Sequence, residues 1–101
     1  KIAKGTFTTD GSGNFAVNNL AFRPIAVMAK RVGAVTYPSL FYADSSFIGD
    51  SMPMNVFVLN TANVQTISLT ISDNGFSNNT GIFSGPYANS QFVFIAIGQG
   101  G

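Results

Sequence analysis

Gln91-Phe92-Val93-Phe94-Ile95-Ala96-Ile97 is the stretch on which the fold turns. Successive side chains of a strand point to opposite faces, so Phe92, Phe94 and Ala96 share one face while Val93, Ile95 and Ile97 share the other. Neither face carries a charge. A strand that is apolar on both sides asks for cover on both sides: a second sheet over one, and more protein, including another subunit, over the other.

Working outward, helical periodicity is hard to find. Gly, Pro, Asn and Ser punctuate the chain about every eight to twelve residues, and the segments between them are rich in Val, Ile, Thr and Phe, as in all-β sandwiches and barrels. Gly5 to Thr9 and Asn14 to Asn18 flank Asp10-Gly11-Ser12-Gly13 and read as a hairpin, since Gly adopts positive φ at no steric cost. Pro24 fixes the entry to a strand, Ile25 to Arg31, with Ile25, Val27 and Ala29 on one face. Ser39 to Ala43 is a further strand, and Asp44-Ser45-Ser46 and Gly49-Asp50-Ser51 read as loop. Asn55 to Asn60 is apolar on both faces and reads as central or covered. In Val64 to Ser72, Ile67, Leu69 and Ile71 alternate with Thr66, Ser68, Thr70 and Ser72, which predicts one strand with a wet face. Asp73-Asn74-Gly75 is the strongest turn signal, because Asn and Gly tolerate left-handed φ, and Phe76 resumes a strand after it.

Composition bounds the chemistry. The 101 residues make one domain, 1–101, with 46% apolar and 9% charged residues. Ordinary domains carry about 25% charge, so disorder is excluded. Without Cys or His there is no zinc site of the usual kind, no thiol nucleophile, no disulfide and no imidazole base. The only acids are Asp10, Asp44, Asp50 and Asp73, each beside Gly, Ser or Asn, where aspartate bonds its own backbone. A hydrolase would need two carboxylates about 5–10 Å apart, and aspartates in separate turns make that the weakest reading. Asp44-Ser45-Ser46 with Asp50-Ser51 offers oxygens to Ca²⁺ but lacks the spacing of a calcium loop. The expectation is a protein that is not an enzyme, with no catalytic residues, no metal and no cofactor.

All five cations, Lys1, Lys4, Arg23, Lys30 and Arg31, lie in the first 31 positions, but they form no dense basic stripe, so nucleic acid is not an expected partner. No apolar run reaches the about 18 residues of a membrane span, so no membrane insertion is expected. The missing initial Met and the ending Gly98-Gln99-Gly100-Gly101 suggest a piece excised from a longer polypeptide. A domain of this size hides only about 60–65% of its unfolded surface, which leaves apolar patches on a monomer. That favours an oligomer over a monomer with a large core. For ligand binding the candidates are Tyr37, Tyr42, Asp44, Tyr87 and Asn89. An aromatic beside Asp or Asn holds a sugar ring by stacking and hydrogen bonds, although strand-end tyrosines also cap cores. Asn78-Asn79-Thr80 is formally a glycosylation acceptor.

Three segments carry a resemblance. Leu20-Ala21-Phe22-Arg23-Pro24-Ile25-Ala26-Val27, Ile71-Ser72-Asp73-Asn74-Gly75-Phe76-Ser77 and Phe92-Val93-Phe94-Ile95-Ala96-Ile97-Gly98 resemble the proline-entered strand, the turn before an inward aromatic, and the closing strand of small β-sandwich domains in phage and prophage tail proteins. The outline is similar to that of H-type lectins, six-stranded sandwiches that trimerise and bind N-acetylgalactosamine-like sugars. The chain departs from the lectin pattern in having no cysteine and in placing Phe94 where a tryptophan is usual. The resemblance implies an all-β, antiparallel β-sandwich of about six to eight strands, a homotrimer, and an extracellular setting in the virion tail beside other virion proteins. It also implies attachment of a tail fibre to a host surface polysaccharide or glycan. The alternatives are a structural or trimerisation module of the virion without a ligand, and a cellular H-type-like lectin.

Overall fold

The computed structural model describes residues 1–66 and 68–99. Nine strands follow one another as β1 (Ile2–Thr8), β2 (Phe15–Val17), β3 (Pro24–Arg31), β4 (Ser39–Ala43), β5 (Met54–Val58), β6 (Val64–Thr66), β7 (Thr70–Ser72), β8 (Gly75–Asn78) and β9 (Gln91–Gly98). A one-turn helix, α1 (Ser45–Ile48), follows β4, and a 3₁₀ turn (Gly85–Tyr87) precedes β9. The strands form an antiparallel six-stranded sheet, β1-β9-β3-β4-β5-β6, and an antiparallel three-stranded sheet, β2-β8-β7. The fold is all-β, as the punctuation and alternation require.

Phenylalanine joins the two sheets. Seven of the ten phenylalanines lie in one buried cluster with Val17, Val27, Leu40 and Leu69. Phe7 of β1 stacks on Phe15 of β2 with ring centroids 4.4 Å apart, and Phe94 of β9 meets Phe76 of β8 edge-on at 5.2 Å. Both distances fall where aromatic pairs gain beyond their buried area. Phe92, Phe94 and Ala96 therefore face the smaller sheet.

Three expectations about strands are corrected. The segments around Asp10-Gly11-Ser12-Gly13 are not partners in a hairpin, because β1 pairs with β9 and β2 pairs with β8. The turn closes like a hairpin, with Gly13 N–H on Asp10 O at 3.0 Å, but the chain then leaves one sheet for the other. Stacking Phe7 on Phe15 across the gap replaces strand pairing at this corner. Val64 to Ser72 is likewise not one strand, since Val64–Thr66 pairs with β5 while Thr70–Ser72 pairs with β8. That crossing accounts for nine strands where six to eight were expected; Leu69 is buried, and Ile67 lies outside the described residues. Third, a bulge between Pro24 and Ala26 shifts the register of β3 on β9, so Val27 and Ala29 enter the cluster without Ile25.

Strand β5 lies between β4 and β6, with Phe57 fully buried and Val56 and Val58 half-buried. β1 and β9 run side by side for their whole length, so that Lys1 N and Gly98 O meet at 3.1 Å while Gly98 N–H donates to Lys1 O at 2.8 Å.

Candidate functional site

The antiparallel register fixes two ends. Turns 9–14, 32–38, 59–63 and 79–90 gather at one, and segments 18–23, 44–53 and 73–74 gather at the other. The first end is tied together by a buried hydroxyl. Thr9 Oγ1 donates to Tyr87 O at 2.7 Å and accepts from Ser90 N–H at 2.9 Å, so one side chain satisfies two backbone groups across the gap between turns. Thr9→Val keeps the shape and orphans both partners. It is expected to cost about 1–3 kcal/mol, read as a lower urea midpoint at an unchanged m-value.

The five candidate ligand residues divide between the ends. Tyr37, Tyr87 and Asn89 lie at the first. Tyr87 packs against the cluster and its hydroxyl donates to Leu59 O at 3.1 Å, so its ring is committed to the fold. Asn89 is exposed at φ 52°, and its N–H donates to Asp10 O at 3.1 Å. Tyr37 is exposed in the β3–β4 loop. Tyr42 and Asp44 lie at the opposite end. Tyr42 points inward and packs on the cluster; burial, then the Asp44 carboxylate, raise its pKa, and Arg23 opposes them.

Asp44 is the N-cap of α1, in the segment expected to be loop. Its Oδ1 accepts from Ser46 N–H and Ser46 Oγ, each at 2.8 Å, and the helix ends at Gly49 with φ 75°. These bonds, helped by Arg23, hold the Asp44 carboxyl below its ordinary pKa of 3.8. A carboxyl depressed in the fold stabilises it above the unfolded value, and that contribution fades as the pH falls through the folded value. The cap is therefore expected to hold at neutral pH and to loosen only below about pH 3.8, which the Ser46 amide shift in an NMR titration would follow.

The other aspartates also serve the backbone or the surface. Asp10 Oδ1 accepts from Ser12 N–H at 2.8 Å and Asn14 N–H at 2.9 Å, Asp50 Oδ1 accepts from Met52 N–H at 3.2 Å, and Asp73 pairs with Arg23 at 3.4 Å in the open. Among the described residues no three acids come together as a metal site. Asn78, first residue of the glycosylation triplet, is buried: its Nδ2 donates to Ser68 O at 3.4 Å and its Oδ1 accepts from Thr80 N–H and Oγ1. Its amide is an internal fastening.

An open apolar surface lies elsewhere. On the outer face of the six-stranded sheet, Lys4 stands across from Ile95, Ile95 from Met28, Met28 from Phe41 and Phe41 from Val56. Met28 is 53% exposed, Ile95 38% and Val93 37%, so the second apolar face of β9 is left open by its own chain. The loop between β3 and β4 walls this face. Lys30 Nζ donates to the Ala34 and Arg31 carbonyls, and Val35, 91% exposed, and Tyr37 stand over the strands. Together they bound a groove of about 720 Å³, apolar but for Lys4, Lys30, Thr36, Ser39 and the Tyr37 hydroxyl.

Sequence reasoning did not single out Met28, Phe41 or Lys4 for this surface, although the alternation that exposed the second face of β9 also places them. It also missed Asn55, which pairs in register with Tyr42 and whose Oδ1 is buried without a hydrogen-bond partner. Nothing in the sequence marked Asn55, because its place at the start of Asn55 to Asn60 looks like the polar boundary of a strand, whereas β5 begins at Met54 and pairs on both sides. No family model matches the chain, and no curated protein or solved structure matches it.

Proposed function

We propose that the chain is a non-catalytic attachment module of a virion tail, extracellular, working as a homotrimer that meets a host surface glycan through the loop end bearing Tyr37, Tyr87 and Asn89. The observation that carries the oligomer is the open apolar face: a chain with 9% charge exposes Met28, Val93 and Ile95 side by side on a six-stranded sheet. Exposed contiguous apolar surface marks an interaction site. Three copies on one fibre would turn weak single contacts into firm attachment through effective concentration. Tyr37 and Asn89 are the exposed candidates at the loop end, and the three segments that resemble tail-protein sandwiches support the setting.

Sedimentation equilibrium followed by binding to intact bacterial cells, with and without competing sugars, tests the reading. An oligomer whose cell binding is abolished by one sugar and by Tyr37→Ala or Asn89→Gly supports it; glycine suits the positive φ at 89 and removes only the side chain. One observation favours a second reading. The rings of Tyr42 and Tyr87 pack on the core and the Asp44 carboxylate caps a helix, which suits a structural virion module without a ligand. An oligomer that binds no cell and no sugar would establish that module instead.

A further inference from the structure

We infer that the outer-face groove receives the α1 projection of a second copy of this chain. The inference rests on the oligomeric reading above and names the surfaces that meet.

The projection is the segment from α1 to the start of β5. Phe47, Ile48, Met52 and Met54 are all exposed, α1 buries none of its own residues, and Asp44 and Asp50 bracket it. The four-residue helix leaves about half of each of two large apolar side chains, Phe47 and Ile48, in water. The groove has the opposite character. Its floor is Met28, Phe41, Val93 and Ile95, and its charges are Lys4 and Lys30. Among the described residues the one ion pair within the chain is Arg23 with Asp73, so neither groove lysine and neither acid beside the projection is held in an ion pair, and only Asp44 feels a cation, Arg23, through space. Apolar surface thus has an apolar counterpart elsewhere on the same molecule, and a pair of cations has a pair of anions. Opposite potentials on two self-complementary surfaces steer copies into register and suppress wrong docking.

Placement makes the match usable. α1 comes against β3, and Ala26 and Ala43, neighbours in register on the outer face, are buried there without belonging to the central cluster. The projection therefore stands at one end of the sheet's outer face and the groove lies toward the other. A copy cannot fill its own groove; a neighbouring copy can. Passed from copy to copy, the contact is heterologous and closes as a ring where the rotation between copies divides a full turn, and between two antiparallel copies it is exchanged reciprocally.

The test uses the full chain in sedimentation velocity across a concentration series. Phe47→Ser with Ile48→Ser removes exposed groups only, and Ile95→Lys places a third cation in the groove; either variant is expected to remain folded by circular dichroism and to run as a monomer where the parent chain associates. Asp50→Lys alone and Lys4→Glu alone are each expected to weaken association about tenfold, and the two together to recover much of it. Association in a ring or as a reciprocal pair, lost on both sides of the contact, supports the inference. A parent chain that stays monomeric overturns the oligomeric reading along with it. A chain that still associates as before with Phe47→Ser and Ile48→Ser, or with Ile95→Lys, overturns this inference alone.

Discussion

Phe92→Ala is expected to destabilise the domain by about 3–5 kcal/mol, a large part of the roughly 5–15 kcal/mol that holds a domain of this size together. Phe92 is fully buried and lies inside a run of rings: Phe83 at 4.7 Å on one side and Phe7, nearly parallel, at 5.1 Å on the other, with Phe7 in turn on Phe15. Truncation opens a cavity in the middle of that run, which rigid strands on both sides cannot close. The adjacent outer-face substitution Val93→Thr is the control, expected to change the stability of the isolated chain by within about 0.5 kcal/mol. Urea unfolding of the two variants checks both statements. Similar losses at 92 and 93 would mean that the outer face is as closed as the inner one.

Gly75→Ala has the second large effect, and for a reason the sequence disguised. Asn74-Gly75 looks like a turn that needs left-handed φ, yet Gly75 is absent from the residues that adopt it. What it supplies is space. A Cβ at 75 would stand 1.7 Å from Val17 O and 2.6 Å from Val17 C, both backbone atoms of β2. β8 could not keep its place beside β2, and the three-stranded sheet rests on that pairing. The expected loss exceeds the about 1–3 kcal/mol usual for an overpacked site. A thermal midpoint lower by more than about 10 °C would register it, at roughly 4–8 °C per kcal/mol. A small change would mean that the two strands can slide apart.

What the sequence made legible follows from which signals are local. Alternation in Gln91 to Ile97, the proline before β3 and the turn at 73–75 are written within a few residues, and all three elements stand where they were expected. Sheet membership is not local. The alternation of Val64 to Ser72 runs on in phase while the chain changes sheets, and no Gly or Pro marks the crossing. The Asp10 turn bonds itself like a hairpin although its arms find other partners. For the candidate site the difference is sharper: of the three tyrosines only Tyr42 lies near a strand end, Tyr87 standing in the 3₁₀ turn and Tyr37 in a loop, and which of them face inward depends on the pairing of distant strands. Burial of Tyr42 comes from its register with Val27 and Asn55, and the Tyr87 hydroxyl is spent on a carbonyl 28 positions away.

The side-by-side course of β1 and β9 has a mechanical consequence. Lys1 and Gly98 are paired at one end of two antiparallel neighbours, so tension applied between them acts across the hydrogen bonds and loads the first pair before the second. The strands would peel apart like a zipper, one weak link at a time, where a pull along the strands would have to break all the links together. A module tethered through both of these residues would be a compliant element that yields early under load.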